Sequence, residues 1–176
     1  GGLNYKITSS KITQELAEKV LNNNGLLISE NPPNKKEDQF SGSKASRIQA
    51  GLSKGIILIQ SSFTGGSKYT LKTFSELTRP LGVVNFEGNE IFETDELFSG
   101  NRELLKNRIN AIAEMCEINK LNNIKIKKIV PIANRKDYIY FEKEMVWKYK
   151  KTNNFELINE NCLILTNMIF KTNEKA

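Results

Sequence analysis

The stretch that most restricts the fold of this 176-residue chain is residues 56–77. Ile56-Ile57-Leu58-Ile59 is an uninterrupted apolar run of the kind found in a parallel strand buried on both faces. A loop of small and polar residues follows, Ser61-Ser62-Phe63-Thr64-Gly65-Gly66-Ser67, and then residues 69–77 recur at helical spacing. Upstream, residues 43–53 predict a helix with Ala45, Ile48 and Leu52 on one side. Earlier still, Ser9 and Ser10 can cap a helix bearing Ile12, Leu16, Val20 and Leu21, with Gly25 suited to the left-handed position after it. Residues 26–29 predict a short buried strand stopped by Pro32-Pro33, and residues 81–86 another strand after Arg79-Pro80. Helix and strand thus alternate three times, which predicts a doubly wound, mostly parallel α/β sheet.

Beyond Phe86 the pattern changes. Residues 87–100 are an acidic connection, and Asn101 is placed to cap a long helix with Leu104, Leu105, Ile109, Ile112, Ala113 and Cys116 inward. After a linker at 119–123, residues 124–127 and then Ile139, Phe141, Met145, Trp147 and Tyr149 alternate at strand period. Thr152-Asn153-Asn154 reads as a turn, and residues 162–170 as either strand or helix. The expected division is an α/β domain over 1–118 and a basic, β-rich C-terminal extension over 119–176. Of the net charge of +6, residues 120–151 carry ten Lys or Arg against three Asp or Glu. Such a local excess attracts polyanions, although a solvated lysine-rich surface would show the same composition.

The chain has no histidine, which removes the commonest general base, the Ser/His and Cys/His nucleophile pairs and imidazole metal sites. Its two cysteines, Cys116 and Cys162, are too far apart for a metal knuckle, and both sit in apolar surroundings that predict small core residues. No apolar run reaches the roughly 20 residues of a bilayer span, and the first residues lack the build of a signal peptide. A cytoplasmic protein without membrane contact, catalytic residues, metal or cofactor is the expectation.

The chemistry concentrates in residues 61–70. A glycine-rich turn at the carboxyl end of a parallel strand lets backbone N–H groups approach an anion, and the next helix offers unsatisfied N–H groups and the positive end of its dipole. Gly65 and Gly66 would form the turn, Ser67 and Thr70 add hydroxyls, and Lys68 adds a charge. The alternative is a tight turn that needs two glycines for positive φ. Lys44, Ser46 and Arg47, near the start of the preceding helix, could converge on the same anion, Arg47 bidentately, or could be ordinary helix-surface groups. The loop is neither Gly-x-x-x-x-Gly-Lys-Ser/Thr nor Gly-x-Gly-x-x-Gly, so neither ATP hydrolysis nor a dinucleotide follows.

Three ordered segments resemble the bacterial DNA-processing protein family DprA (Smf): Leu26-Leu27-Ile28-Ser29-Glu30-Asn31-Pro32-Pro33, Ser46-Arg47-Ile48-Gln49-Ala50-Gly51-Leu52-Ser53 and Gly65-Gly66-Ser67-Lys68-Tyr69-Thr70. The likeness covers roughly residues 1–110. It implies a Rossmann-like domain that binds single-stranded DNA and helps load a recombinase during natural transformation. Arg47 matches the last arginine of the family's arginine motif, which the resemblance places on a DNA phosphate, and Gly66, Ser67 and Thr70 match its phosphate-cradling loop. The chain departs from the pattern in three places. The earlier Arg-Asn of the motif is Ala45-Ser46, with only Lys44 to replace the charge. Ser41, not Pro, follows Phe40. The family's first βαβ unit has no counterpart before Gly1-Gly2-Leu3. A half sheet would leave an apolar edge, so the chain is expected to belong to a longer polypeptide or to complete its sheet by self-association.

Two rival functions follow from the same loop. A mononucleotide could fill it in a sensing module. The loop also resembles the Pro-Gly-Gly-x-Gly-Thr-x-x-Glu motif of nucleotide phosphoribohydrolases, but Thr64 stands for the proline and Thr73 for the glutamate, and Glu76 lies two helical turns beyond the loop. Bases of a single strand commonly stack on aromatic rings, for which Phe40, Phe63, Tyr69 and Trp147 are candidates, Phe40 and Trp147 being equally suited to a core.

Overall fold

A computed structural model describes residues 1–145. Three strands, β1 (Ile56–Leu58), β2 (Pro80–Val84) and β3 (Lys128–Ile132), form an all-parallel sheet in that spatial order. Ile56 lies opposite Leu81, and Leu81 opposite Ile129. The central strand β2 is buried along its whole length. Its proline is the first residue, where the missing N–H disturbs the ladder least.

Parallel neighbours need crossovers. Helix α4 (Ser67–Ser75) joins β1 to β2, and α5 (Glu90–Thr94), α6 (Ser99–Asn107) and α7 (Ile109–Met115) lie between β2 and β3. On one face of the sheet Leu58, Leu81 and Val83 join Leu71 and Phe74 of α4, Leu104 of α6 and Ile112 and Met115 of α7 in a single buried cluster. The opposite face is covered by Phe141 of α8 (Arg135–Glu144). A Cβ added to Gly82 there would come within 2.6 Å of Ile132 Cδ1 and 3.3 Å of the Phe141 ring, so a side chain at this position would push Ile132 aside and crowd that ring. Helix α3 (Ser41–Leu52) packs beside α4 through Ala50. Its C-terminal carbonyls, those of Ala50, Gly51 and Ser53, accept from the Arg79 guanidinium. Helices α1 (Tyr5–Thr8) and α2 (Lys11–Asn22) precede it.

Several expectations are corrected. Ser10 does cap α2, accepting from Thr13 N–H at 3.4 Å, but the left-handed residue after that helix is Asn24 (φ 58°) rather than Gly25. Residues 26–29 pair with no strand among the described residues, and Leu26 is 75% and Ile28 53% exposed. A short apolar run becomes a strand only where a neighbouring edge receives it. The long helix expected from Asn101 is two helices that start at Ser99 and break at Arg108 (φ 52°, ψ −119°), which leaves Ile109 outside. Residues 124–127 bond to the end of α4 and to the residue before β2, Lys125 N–H reaching Ser75 O at 2.7 Å and Lys127 N–H reaching Arg79 O at 3.0 Å; strand pairing begins only at Lys128.

Ile139 and Phe141 lie in helix α8, not in a strand. A reciprocal capping box fixes it, with Asn134 accepting from Lys136 and Asp137 N–H groups and Asp137 accepting from Asn134 N–H. Of the expected β-rich extension, the described part thus contributes one parallel strand, one α-helix and a short 3-10 turn at Leu121–Asn123; Trp147, Tyr149, Cys162, the 152–154 turn and the 162–170 run lie outside the described residues. Cys116 is buried in the core as expected, and burial pushes its thiol up to about 11 despite nearby Lys72 and Lys68.

Candidate functional site

The segment between β1 and α4 lies at the carboxyl edge of the sheet, where backbone groups run out of strand partners. Its shape is set by Ser99, Gly100 and Asn101 at the start of α6. Gly100 N–H donates to Ser61 O at 2.9 Å, and Ser99 Oγ accepts from Phe63 N–H at 2.9 Å. A Cβ on Gly100 would lie 2.8 Å from Ser61 O and 3.0 Å from Ser62 O, so the loop can seat itself only against a glycine. Asn101 is fully buried. Its Oδ1 accepts from Ser61 N–H at 2.9 Å, and its Nδ2 donates toward the carbonyls of Leu58 (3.2 Å), Ile59 (3.0 Å) and Val84 (3.2 Å). It is not a helix cap. One amide satisfies the frayed ends of two strands and the first N–H of the loop.

Within the loop, Gly65 N–H bonds Ser62 O, and the N–H groups of Lys68 and Tyr69 bond the carbonyls of Gly65 and Gly66. The N–H groups of Gly66 and Ser67 have no partner among the described residues. Gly66 is the N-cap of α4 at φ −65° and ψ −21°, an ordinary right-handed conformation. Neither loop glycine has positive φ; among the described glycines only Gly88 does. A Cβ at Gly65 would press on Ser62 Oγ at 2.8 Å, whereas one at Gly66 would meet nothing within 4 Å. Neither backbone conformation nor internal packing therefore demands glycine at 66, which faces open space.

A cleft of about 610 Å³ opens beside it. Phe40, Gly42, Ser43 and Ser46 line one side, and Gly66 and Tyr69 the other. The turn that presents Phe40 is held by Asp38, whose Oδ1 accepts from Phe40 N–H (3.0 Å) and Ser41 Oγ (3.0 Å). The Ser41 hydroxyl, and then Lys35, hold that carboxyl down to about 2.

Of the sequence-predicted site residues, Ser46 and Gly66 line this cleft together. Ser46 Oγ donates back to Gly42 O at 3.1 Å. Ser67 stands next to Gly66 with its hydroxyl bonded to that of Ser61, and Thr70 is half-buried one turn into α4. Lys68 pairs with Glu117 (3.2 Å) and lies 5.8 Å from the centre of the Tyr69 ring. On α3, where residues turn about 100° each, Arg47 sits roughly 90° and Lys44 roughly 150° round from the lining face. The Arg47 guanidinium pairs with the Glu30 carboxylate in the open. Such an exposed pair holds by no more than about 1 kcal/mol, so it releases readily. Glu76 is the C-cap of α4, at the far end from Gly66.

Residue reasoning overlooked Asn101's part in this site. The signal was there, an amide in an apolar helical pattern, but its acceptors are 17 to 43 residues away along the chain. Residues 2–123 match the family model described as DNA recombination-mediator protein A. No curated protein and no solved structure matches the chain.

Proposed function

The chain belongs to the DNA recombination-mediator protein A family, and from that premise we propose that it is a non-catalytic protein that holds single-stranded DNA by its phosphates at the start of α4. The observation that carries this reading is Gly66, an open glycine flanked by unpaired N–H groups at the N-terminus of a nine-residue helix and at the carboxyl edge of a parallel sheet. Ser67 and Thr70 follow on the same turn, and Lys68 supplies a cation there by exchanging Glu117 for phosphate. Arg47 and Lys44 meet the strand as it leaves the cleft along α3, Arg47 exchanging Glu30 for a phosphate. A hydrolytic role is disfavoured because the carboxylate available on α4, Glu76, lies at its opposite end.

Binding should be strongly salt-dependent. With a fluorescently labelled oligonucleotide, log K is expected to fall by about 0.7 per tenfold rise in salt for each phosphate neutralised on a single strand. The measurement is fluorescence anisotropy over a salt series, with mononucleotides as competitors. A flat salt response, or a melting temperature raised by mononucleotide and not by the oligonucleotide, would instead favour nucleotide sensing.

Self-association belongs to the same proposal. Ile12 (81% exposed) and Leu16 (60%) on α2, with Leu26 and Ile28, present apolar surface that a second copy, or a further segment of a longer polypeptide, would cover. Light scattering is expected to give a dimer that Ile12→Glu dissociates. A wild type that stays monomeric at high micromolar concentration removes the second copy. A recombinase remains the partner that the family's role implies.

A further inference from the structure

The segment that joins β2 to α6 carries a second surface, opposite in chemistry to the start of α4. Phe86, Phe92 and Phe98 meet edge-on or tilted, with ring centres 5.3 to 6.4 Å apart, and Phe92 is buried. Side-chain caps fix the backbone around that cluster. Asn89 Oδ1 accepts from the Ile91 and Phe92 N–H groups (3.0 and 3.2 Å), and Asp95 Oδ1 accepts from Leu97 N–H (2.8 Å). The Arg102 guanidinium donates to the Phe92 and Asp95 carbonyls at 2.6 and 2.8 Å. On this fixed frame three large apolar side chains stay uncovered, Ile91 (63% exposed), Leu97 (53%) and Phe86 (47%). An apolar patch already held in place gives up little conformational entropy when a partner covers it.

Charge says what can cover it. Residues 86–98 hold five carboxylates, Glu87, Glu90, Glu93, Asp95 and Glu96, and no Lys or Arg, in a chain whose net charge is +6. None of the five pairs with a cation among the described residues, and the Glu87 and Glu90 carboxylates accept no hydrogen bond there either. Among the described residues no three acidic side chains converge closely enough to hold a metal ion, so these carboxylates do not form a cation cage. A polyanion is repelled by such a segment. We propose that this face docks a cationic segment of a partner protein, with apolar side chains set on Phe86, Ile91 and Leu97 and Lys or Arg set on the neighbouring carboxylates. An apolar centre with a charged rim is the ordinary build of a protein interface, and opposite charge steers the encounter and fixes its register. None of these residues belongs to the α4 site, so this proposal and the nucleic-acid reading can each fail without the other.

The probe is a fluorescein-labelled amphipathic peptide of lysine and leucine, titrated with the whole chain and read by anisotropy. Wild type is expected to bind it, with an affinity that falls as salt is added. A peptide with serine in place of leucine should bind on the order of tenfold more weakly, and one with glutamate in place of lysine should not bind. Ile91→Ser/Leu97→Ser should weaken binding of the first peptide on the order of tenfold, and Glu87→Gln/Glu90→Gln by about fivefold with a flatter salt response. All four side chains are exposed, so both variants should keep the wild-type melting temperature, which reports their folding. Failure of wild type to bind the lysine–leucine peptide overturns the proposal. Equal binding of the serine peptide does so too, as does undiminished binding by the folded Ile91→Ser/Leu97→Ser variant. Wild-type dimers that this variant, and not Ile12→Glu, dissociates in light scattering would put a second copy on the face and likewise overturn it.

Discussion

Asn101→Leu is expected to unfold about 3–5 kcal/mol more easily than wild type in urea, the largest loss anticipated for a single polar residue among those described. Leucine matches the volume but neither donates nor accepts. The Ser61 N–H and the carbonyls of Leu58, Ile59 and Val84 would be left facing a hydrocarbon in the centre of the sheet edge. Each unsatisfied buried group costs on the order of 1–3 kcal/mol, partly relieved if water enters. Because a domain of this kind is stable by only about 5–15 kcal/mol, the variant would be partly unfolded at physiological temperature. Asn101→Asp separates donor from acceptor. It keeps the acceptor for Ser61 N–H but sets a carboxylate against three carbonyl oxygens, which raises its folded pKa above the unfolded value. Its stability is therefore greatest below the unfolded pKa and is lost as pH rises through the folded one. Urea melts at pH 5 and pH 7 would show this, and a loss below about 1 kcal/mol for Asn101→Leu at pH 7 would remove Asn101 as the organiser of the loop.

That residue also marks where the sequence stops being legible. The apolar run of β1, the glycine turn and α4 could be read directly because their signals are local: side-chain period, small residues and the switch from strand to helix. The capping box of α8 was local too, and its Asn134 to Asp137 spacing outweighs the period-two alternation of Ile139 and Phe141 that suggested a strand. Residues 26–29 and 124–127 depart from the strands their composition predicts for the opposite reason. Their composition suits a strand, but a strand exists only through a neighbour, and neighbours are set by tertiary structure. The same holds at the site. Residues near Gly66 could be named from the local pattern, and Ser46, which lines the same cleft, from the helix before the strand. Asn101 bonds only to groups 17 or more positions away. The lack of positive φ at Gly65 and Gly66 could not have been foreseen either. It leaves Gly66 with no internal reason to be glycine, and so makes it the position where function and stability can be separated.

Gly66→Asp is expected to lose DNA binding by on the order of a hundredfold while leaving the fold as stable as wild type. The backbone at φ −65° and ψ −21° accepts any L residue, and the added Cβ meets nothing. A carboxylate at the N-terminus of α4 is favoured by the helix dipole by about 0.3–1 kcal/mol, and replacing glycine lowers the entropy of the unfolded chain. Stability should therefore hold or rise. The same carboxylate would stand about 5 Å from the oxygens of a phosphate held as proposed at this helix end, where like charges at an effective dielectric of about 20 repel by roughly 3 kcal/mol. Gly66→Asn fills the same space without charge, and should lose only the part of the affinity that comes from volume. Anisotropy on a single-stranded oligonucleotide, paired with thermal melts of all three proteins, reads both quantities. If Gly66→Asp binds as tightly as wild type, the strand does not lie at this helix end. If it binds weakly only because its melting temperature has collapsed, the openness of position 66 has been misjudged. A large loss of affinity at an unchanged or higher melting temperature is the outcome that an external anion at Gly66 requires and that an internal turn would not produce.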